Sequence, residues 1–153
     1  MFPFLKKGIY GIKKIPKNDL YIINNLVKKT VQWTTKDLGQ SVITSKNKII
    51  LKEDRRGTNH LIKRINNKYS RISYIFIKIK KLGQDTRIDL PTFGFETLKY
   101  LVKTNVKYII LNADSTIIMD KRKTLEYLKK HKKILLSVGI DYLTNNNFKI
   151  KYE

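Results

Sequence analysis

Apolar positions along the 153-residue chain switch repeatedly between helical spacing and strand alternation. Leu20, Ile23, Val27 and Val31 recur at helical spacing behind Asn18 or Asp19, either of which is a good N-cap, and predict a helix running to Trp33. Segments 41–44 and 48–52 flank Lys46-Asn47 and predict a β-hairpin. Thr58 is placed to cap a helix carrying Leu61, Ile62 and Ile65. A strand at 73–80 follows, then a polar loop over 81–92 containing Gly83 and Pro91. The remaining pattern predicts a helix over about 93–104, strands at 106–111 and 115–119, a helix near 121–131 and a closing strand at 134–138. This alternation predicts a single α/β domain, a mixed sheet packed by helices. Within it, 1–37 reads as an irregular lead-in and packing helix, 38–145 as the main domain and 146–153 as a frayed tail.

The strand at 73–80 admits two readings. Ile75, Ile77 and Ile79 point to one side; Tyr74, Phe76, Lys78 and Lys80 point to the other. Aromatics beside lysines on an open sheet face stack nucleic-acid bases. A central strand covered on both faces, with its lysines at the end, explains the same pattern and is the ordinary arrangement in α/β domains.

Charge changes the picture less than its size suggests. Lys and Arg number 33 against 12 Asp and Glu, a net +21 that on its own invites a nucleic-acid partner. Yet 27 of the 33 are Lys, accompanied by 22 Ile, 12 Asn and a single Ala, Ala113. Lys, Ile and Asn are the residues of AT-rich codons, so much of the charge reads as genomic background. The lysines are also spread along the chain, with no run of five like charges, and Arg, the usual bidentate base reader, is scarce. A nucleic-acid partner is not expected. The absence of Cys excludes disulfides, thiolate zinc sites and thiol nucleophiles. No apolar run approaches the roughly 18 residues of a membrane helix, and Met1 to Leu5 precedes its lysines, the reverse of a secretory signal. A cytoplasmic location is the default expectation.

Because acids are scarce, their positions carry information. Asp85 and Asp89 flank Arg87 in Gln84-Asp85-Thr86-Arg87-Ile88-Asp89. In an extended segment the three side chains point the same way, spaced roughly 6.6 Å apart. The group follows a strand and precedes a helix, where α/β domains commonly bind ligands. Paired carboxylates can hold a hard cation or activate water, and the Arg can neutralise a phosphoryl group. The spacing equally fits an Arg salt-bridged between two aspartates, ordering a loop.

With Lys78 before it and Thr97 after it, the run Lys81-Leu82-Gly83-Gln84-Asp85-Thr86-Arg87-Ile88-Asp89-Leu90-Pro91-Thr92-Phe93-Gly94 resembles the hallmark segment of the LpxI-type UDP-2,3-diacylglucosamine pyrophosphatases of lipid A synthesis. Weaker matches agree: Leu38-Gly39-Gln40-Ser41-Val42, Gly57-Thr58, and 116–120 ending in Asp120. The similarity spans about 3–141. It implies a magnesium-assisted hydrolase at the inner face of the cytoplasmic membrane, cleaving the lipid-linked UDP-sugar to UMP and 2,3-diacylglucosamine 1-phosphate. It further implies that Asp85 and Asp89 handle metal or water and that Arg87 meets phosphate. Gln84, Thr92, Gly94, Lys78, Lys81, Gly57 and Thr58 are the substrate-binding candidates.

Four residues, at three places, depart from the family pattern. Asn59 stands where the family carries Asp, Arg56 where it carries Glu, and Asn112-Ala113-Asp114 where it carries Glu-Ala-Gly. The resemblance also implies an amino-terminal domain preceding this part, with the active site where the two meet, so the chain alone is expected to be inactive. A homodimer is among the partners it allows. Two competing readings are a small basic nucleic-acid-binding module, which leaves the Asp-Thr-Arg-Ile-Asp loop unexplained, and a non-catalytic assembly domain that keeps the fold.

Overall fold

A computed structural model of the chain describes residues 4–11, 14–34, 39–65, 72–80, 90–140 and 150–151. It has nine strands and four helices among these residues: β1 (Gly8–Tyr10), α1 (Lys17–Thr34), β2 (Ser41–Ser45), β3 (Lys48–Lys52), α2 (Thr58–Lys63), β4 (Tyr74–Lys78), β5 (Thr92–Gly94), α3 (Phe95–Leu101), β6 (Val106–Asn112), β7 (Ile117–Met119), α4 (Lys121–Lys130), β8 (Ile134–Ile140) and β9 (Ile150–Lys151). The main sheet runs β1-β8-β6-β4-β2-β3, with β9 also paired to β8. Its centre, β8-β6-β4, is parallel, whereas β1, β2 and β3 add antiparallel edges, giving the expected mixed sheet. β5 and β7 form a separate parallel pair.

Helices cover both faces. Ile23, Leu26, Val27 and Val31 of α1 meet Val42, Ile77, Tyr108, Ile110 and Leu136 on one side. Leu61, Ile62, Leu98, Leu101 and Leu128 of α2, α3 and α4 meet Ile43, Phe76, Ile109 and Leu135 on the other. α3 and α4 share that face because the connections β4 to β6 and β6 to β8 step the same way across the sheet, and crossovers of one hand then place their helices together.

β4 is the central strand of the two readings. Ile77 packs under α1, while Tyr74 and Phe76 are buried under the other helices. No aromatic surface for base stacking exists on this strand, which removes the main structural support for a nucleic-acid module.

The hairpin turn forms as expected: Lys46 and Asn47 adopt φ 48° and 63°, the doubly left-handed pair of a tight hairpin connection, which Asn47 favours and the register imposes on Lys46. Four expectations need correction. Within the lead-in, Gly8–Tyr10 is a strand, held by β8. Phe93 belongs to β5, so the helix foreseen from 93 starts at Phe95 and ends at Leu101. Thr58 is the first helical residue rather than the cap. The tail contains β9.

Candidate functional site

The parallel strands end at one edge of the sheet, and there the described part of the site assembles. β4 ends at Lys78, whose side chain is buried, with 7% of the residue exposed. Beside it on β2 lies Ser41, paired with it in register and fully buried. β3 leaves the sheet at Lys52, and the turn 53–57 carries the chain to α2. The Arg56 backbone N–H donates to Asp54 Oδ1 at 2.9 Å, and the Gly57 N–H donates to the Asp54 carbonyl at 3.0 Å. Gly57 has φ 89° and open space where a Cβ would stand. Glycine is therefore needed for its backbone conformation, not for close packing.

That turn brings three side chains into one chain of hydrogen bonds. Lys78 Nζ donates to Thr58 Oγ1 at 3.1 Å, and the Thr58 hydroxyl donates to Glu53 Oε1. The other oxygen, Glu53 Oε2, accepts the Gln40 backbone N–H at 2.8 Å. Main-chain bonds frame the group: the Glu53 N–H to the Ser41 carbonyl at 2.9 Å and the Ile79 N–H to the Gln40 carbonyl at 3.0 Å. Thr58 is the first residue of α2, with Gly57 at the cap, so its hydroxyl is free to join this chain. Two polar atoms nearby, Gln40 Nε2 and Ser41 Oγ, are buried without a hydrogen-bond partner. Buried unsatisfied groups are scarce in folded proteins, and two in consecutive residues mark this edge of the sheet.

Thr92 and Gly94 lie in β5, and the first turns of α2 and α3 are tied by Thr97 Oγ1 donating to Asn59 Oδ1 at 3.2 Å. Gly94 has extended backbone at φ −160°; a Cβ there would stand 2.7 Å from Met119 Cβ, so the missing side chain lets β5 and β7 approach. A cleft of about 290 Å³ opens beside Thr92, Gly94, Thr97, Met119 and Lys123.

The positions that differ from the family pattern each have local work. Arg56 pairs with Asp54 at 2.6 Å, and its hydrogen bonds hold the Asp54 carboxyl well below the usual carboxylate range. Asn112, 5% exposed, accepts the Lys80 backbone N–H at 3.1 Å and so fixes the exit of β4. Asp114 adopts φ 58°, a conformation that glycine takes freely and aspartate tolerates better than most residues.

Of the residues singled out in sequence, Lys78, Gly57 and Thr58 are together in the structure, and Thr92 and Gly94 lie past the adjoining starts of α2 and α3. Lys81, Gln84, Asp85, Arg87 and Asp89 lie outside the described residues, between Lys80 and Leu90. Glu53 was missed. Among the described residues no three His, Asp or Glu side chains come together to hold a metal ion. Glu53, the one carboxylate in the relay, has an oxygen engaged by each of its two donors. The described residues therefore do not form a cation cradle by themselves.

The family model for the LpxI C-terminal domain matches residues 6–136. The chain belongs to this family. Membership links the LpxI domain to lipid A biosynthesis. No curated protein matches the chain. Among the described residues, no helix of this LpxI domain is long and apolar enough to cross a membrane.

Proposed function

We propose that the chain is the carboxy-terminal, catalytic-type domain of a pyrophosphatase that hydrolyses UDP-2,3-diacylglucosamine to UMP and 2,3-diacylglucosamine 1-phosphate. The observation that carries this reading is positional. Between Lys80, just past the Lys78–Thr58–Glu53 relay at the end of β4, and Leu90, just before Thr92 and Gly94, the sequence carries Asp85, Arg87 and Asp89. A cation buried at the carboxyl end of a parallel strand suits a diphosphate.

Hydrolysis breaks one P–O bond of the diphosphate bridge and forms one to the oxygen of water, leaving two phosphomonoesters. On this reading Arg87 and Lys78 offset the charge that the phosphoryl oxygens carry, Asp89 accepts the proton of the attacking water, Gln84, Lys81, Gly57, Thr92 and Gly94 orient the diphosphate, and Thr58 bears on it through Lys78. Asp85 and Asp89 would hold magnesium, whose chemistry is to screen diphosphate charge. An amino-terminal domain completes the substrate walls, and the domain works as a peripheral protein at the inner face of the cytoplasmic membrane, either alone or as a homodimer.

The test supplies the chain with an amino-terminal domain of the same family and gives it UDP-2,3-diacylglucosamine with magnesium. UMP release that is lost in Asp89→Ala is the expected result. No UMP from the unaltered protein overturns the reading, and full activity in Asp89→Ala overturns the role of Asp89.

A further inference from the structure

The relay contains one residue that neither the family match nor the sequence motifs assign. We infer that Glu53 is a positioning residue, acting through Thr58 to aim the Lys78 ammonium at the anionic substrate; this rests on the hydrolytic reading above.

Three observations support it. Glu53 is anchored at both ends, its backbone N–H on the Ser41 carbonyl and its carboxylate on the Gln40 N–H, so it cannot follow a moving substrate and acts as a fixed post. Its second oxygen accepts the hydrogen bond of the Thr58 hydroxyl, which turns an oxygen lone pair toward Lys78 Nζ. The left-handed Gly57 sets the turn that swings Thr58 back onto Glu53. A lysine has three rotatable donors on a flexible stem, and a fixed acceptor removes much of that freedom before substrate arrives. Glutamine at 53 keeps one acceptor oxygen for two donors, so either Thr58 loses its acceptor or the side chain loses its anchor on the Gln40 N–H, and in both cases the fixed post is lost.

In the complemented enzyme, Glu53→Gln and Thr58→Val are each expected to lower kcat roughly 10- to 100-fold with KM changed less than about twofold. Thr58→Ser, which keeps the hydroxyl, should retain kcat. The double variant should be no slower than the slower single one, because both break the same relay. Retained kcat in Glu53→Gln or Thr58→Val overturns the inference, as do losses that multiply in the double variant. Thermal melts run in parallel; Thr58→Val keeps the side chain's shape and carries the test if the Glu53 variant unfolds. If the unaltered protein releases no UMP, the hydrolytic reading falls separately. The relay is then judged by the Lys78 side-chain NH₃⁺ resonance in the 153-residue chain: broadening in Glu53→Gln and Thr58→Val but not in Thr58→Ser supports it, and no change overturns it.

Discussion

Ser41 shows what this site costs the fold. Its hydroxyl is fully buried and unpartnered, and an unmatched buried hydroxyl costs about 1–3 kcal/mol against one that is bonded. Ser41→Ala is therefore expected to leave stability unchanged or raise it by up to about 1 kcal/mol, measured by urea denaturation. A loss of that size or more would mean that the hydroxyl is bonded in solution. Sequence could mark Gln40-Ser41 only through the family resemblance, since nothing in its spacing announces burial. Glu53 was harder still to see. It sits in Lys52-Glu53-Asp54-Arg55-Arg56, which reads as a solvated charged turn, and its role becomes visible only when the turn folds it against Gln40 and Thr58. Thr58 itself was misread because a threonine before an apolar helical pattern looks like an N-cap. The positive φ of Gly57 moves the cap one residue earlier and frees the hydroxyl.

Helices and strands were legible where length or turn chemistry specified them. The helix α1 is 18 residues long with an apolar stripe at consistent spacing, and the β2–β3 hairpin has Asn47, which tolerates left-handed backbone, in its turn. Strands β1 and β5 are three residues each, too short to show alternation, and exist because tertiary neighbours pair with them. The docking of α1 on the sheet has a polar clasp that can be tested. The Tyr108 hydroxyl in β6 donates to Asp19 Oδ2 in the first turn of α1, and Lys107 Nζ reaches the same oxygen at 3.5 Å. Burial first, and then the Asp19 carboxylate, push the Tyr108 phenol well above its ordinary value near 10. Above that pH the unfolded chain releases this proton while the folded chain keeps it. The clasp's contribution is thus complete below about pH 10 and falls as pH rises further. Tyr108→Phe should lower stability by about 1–2 kcal/mol at neutral pH. It should also make the alkaline decline between about pH 9 and 11 shallower. Urea denaturation across that range checks both, and an unchanged slope would show that the clasp does not form.

At the level of the entire chain, a net +21 works against compactness. The described ion pairs offer little relief: Arg56–Asp54, Lys99–Glu96 and Arg122–Glu126 are exposed and local in sequence, and Lys107–Asp19 alone among them links distant elements. Thermal melting is therefore expected to shift upward as sodium chloride rises from about 0.01 M to about 1 M, as screening shortens from roughly 30 Å to 3 Å. A downward shift would show that attractive surface pairs outweigh the repulsion. The fold class was readable from alternating periods, whereas the strand order was not, because it depends on pairings between distant segments. The most distant of these has a consequence for synthesis. Gly8 is in register with Ser137, so β1, made before every other strand of this sheet, pairs with β8, which is made after β2, β3, β4 and β6. α1 emerges early as well, with Ile23, Leu26 and Val27 destined for a sheet whose β6 and β8 are still to be made. The nascent chain therefore carries an apolar helix with only β2 and β4 to cover it until β6 and β8 are made, and the sheet closes late, once residues up to about Ser137 are free.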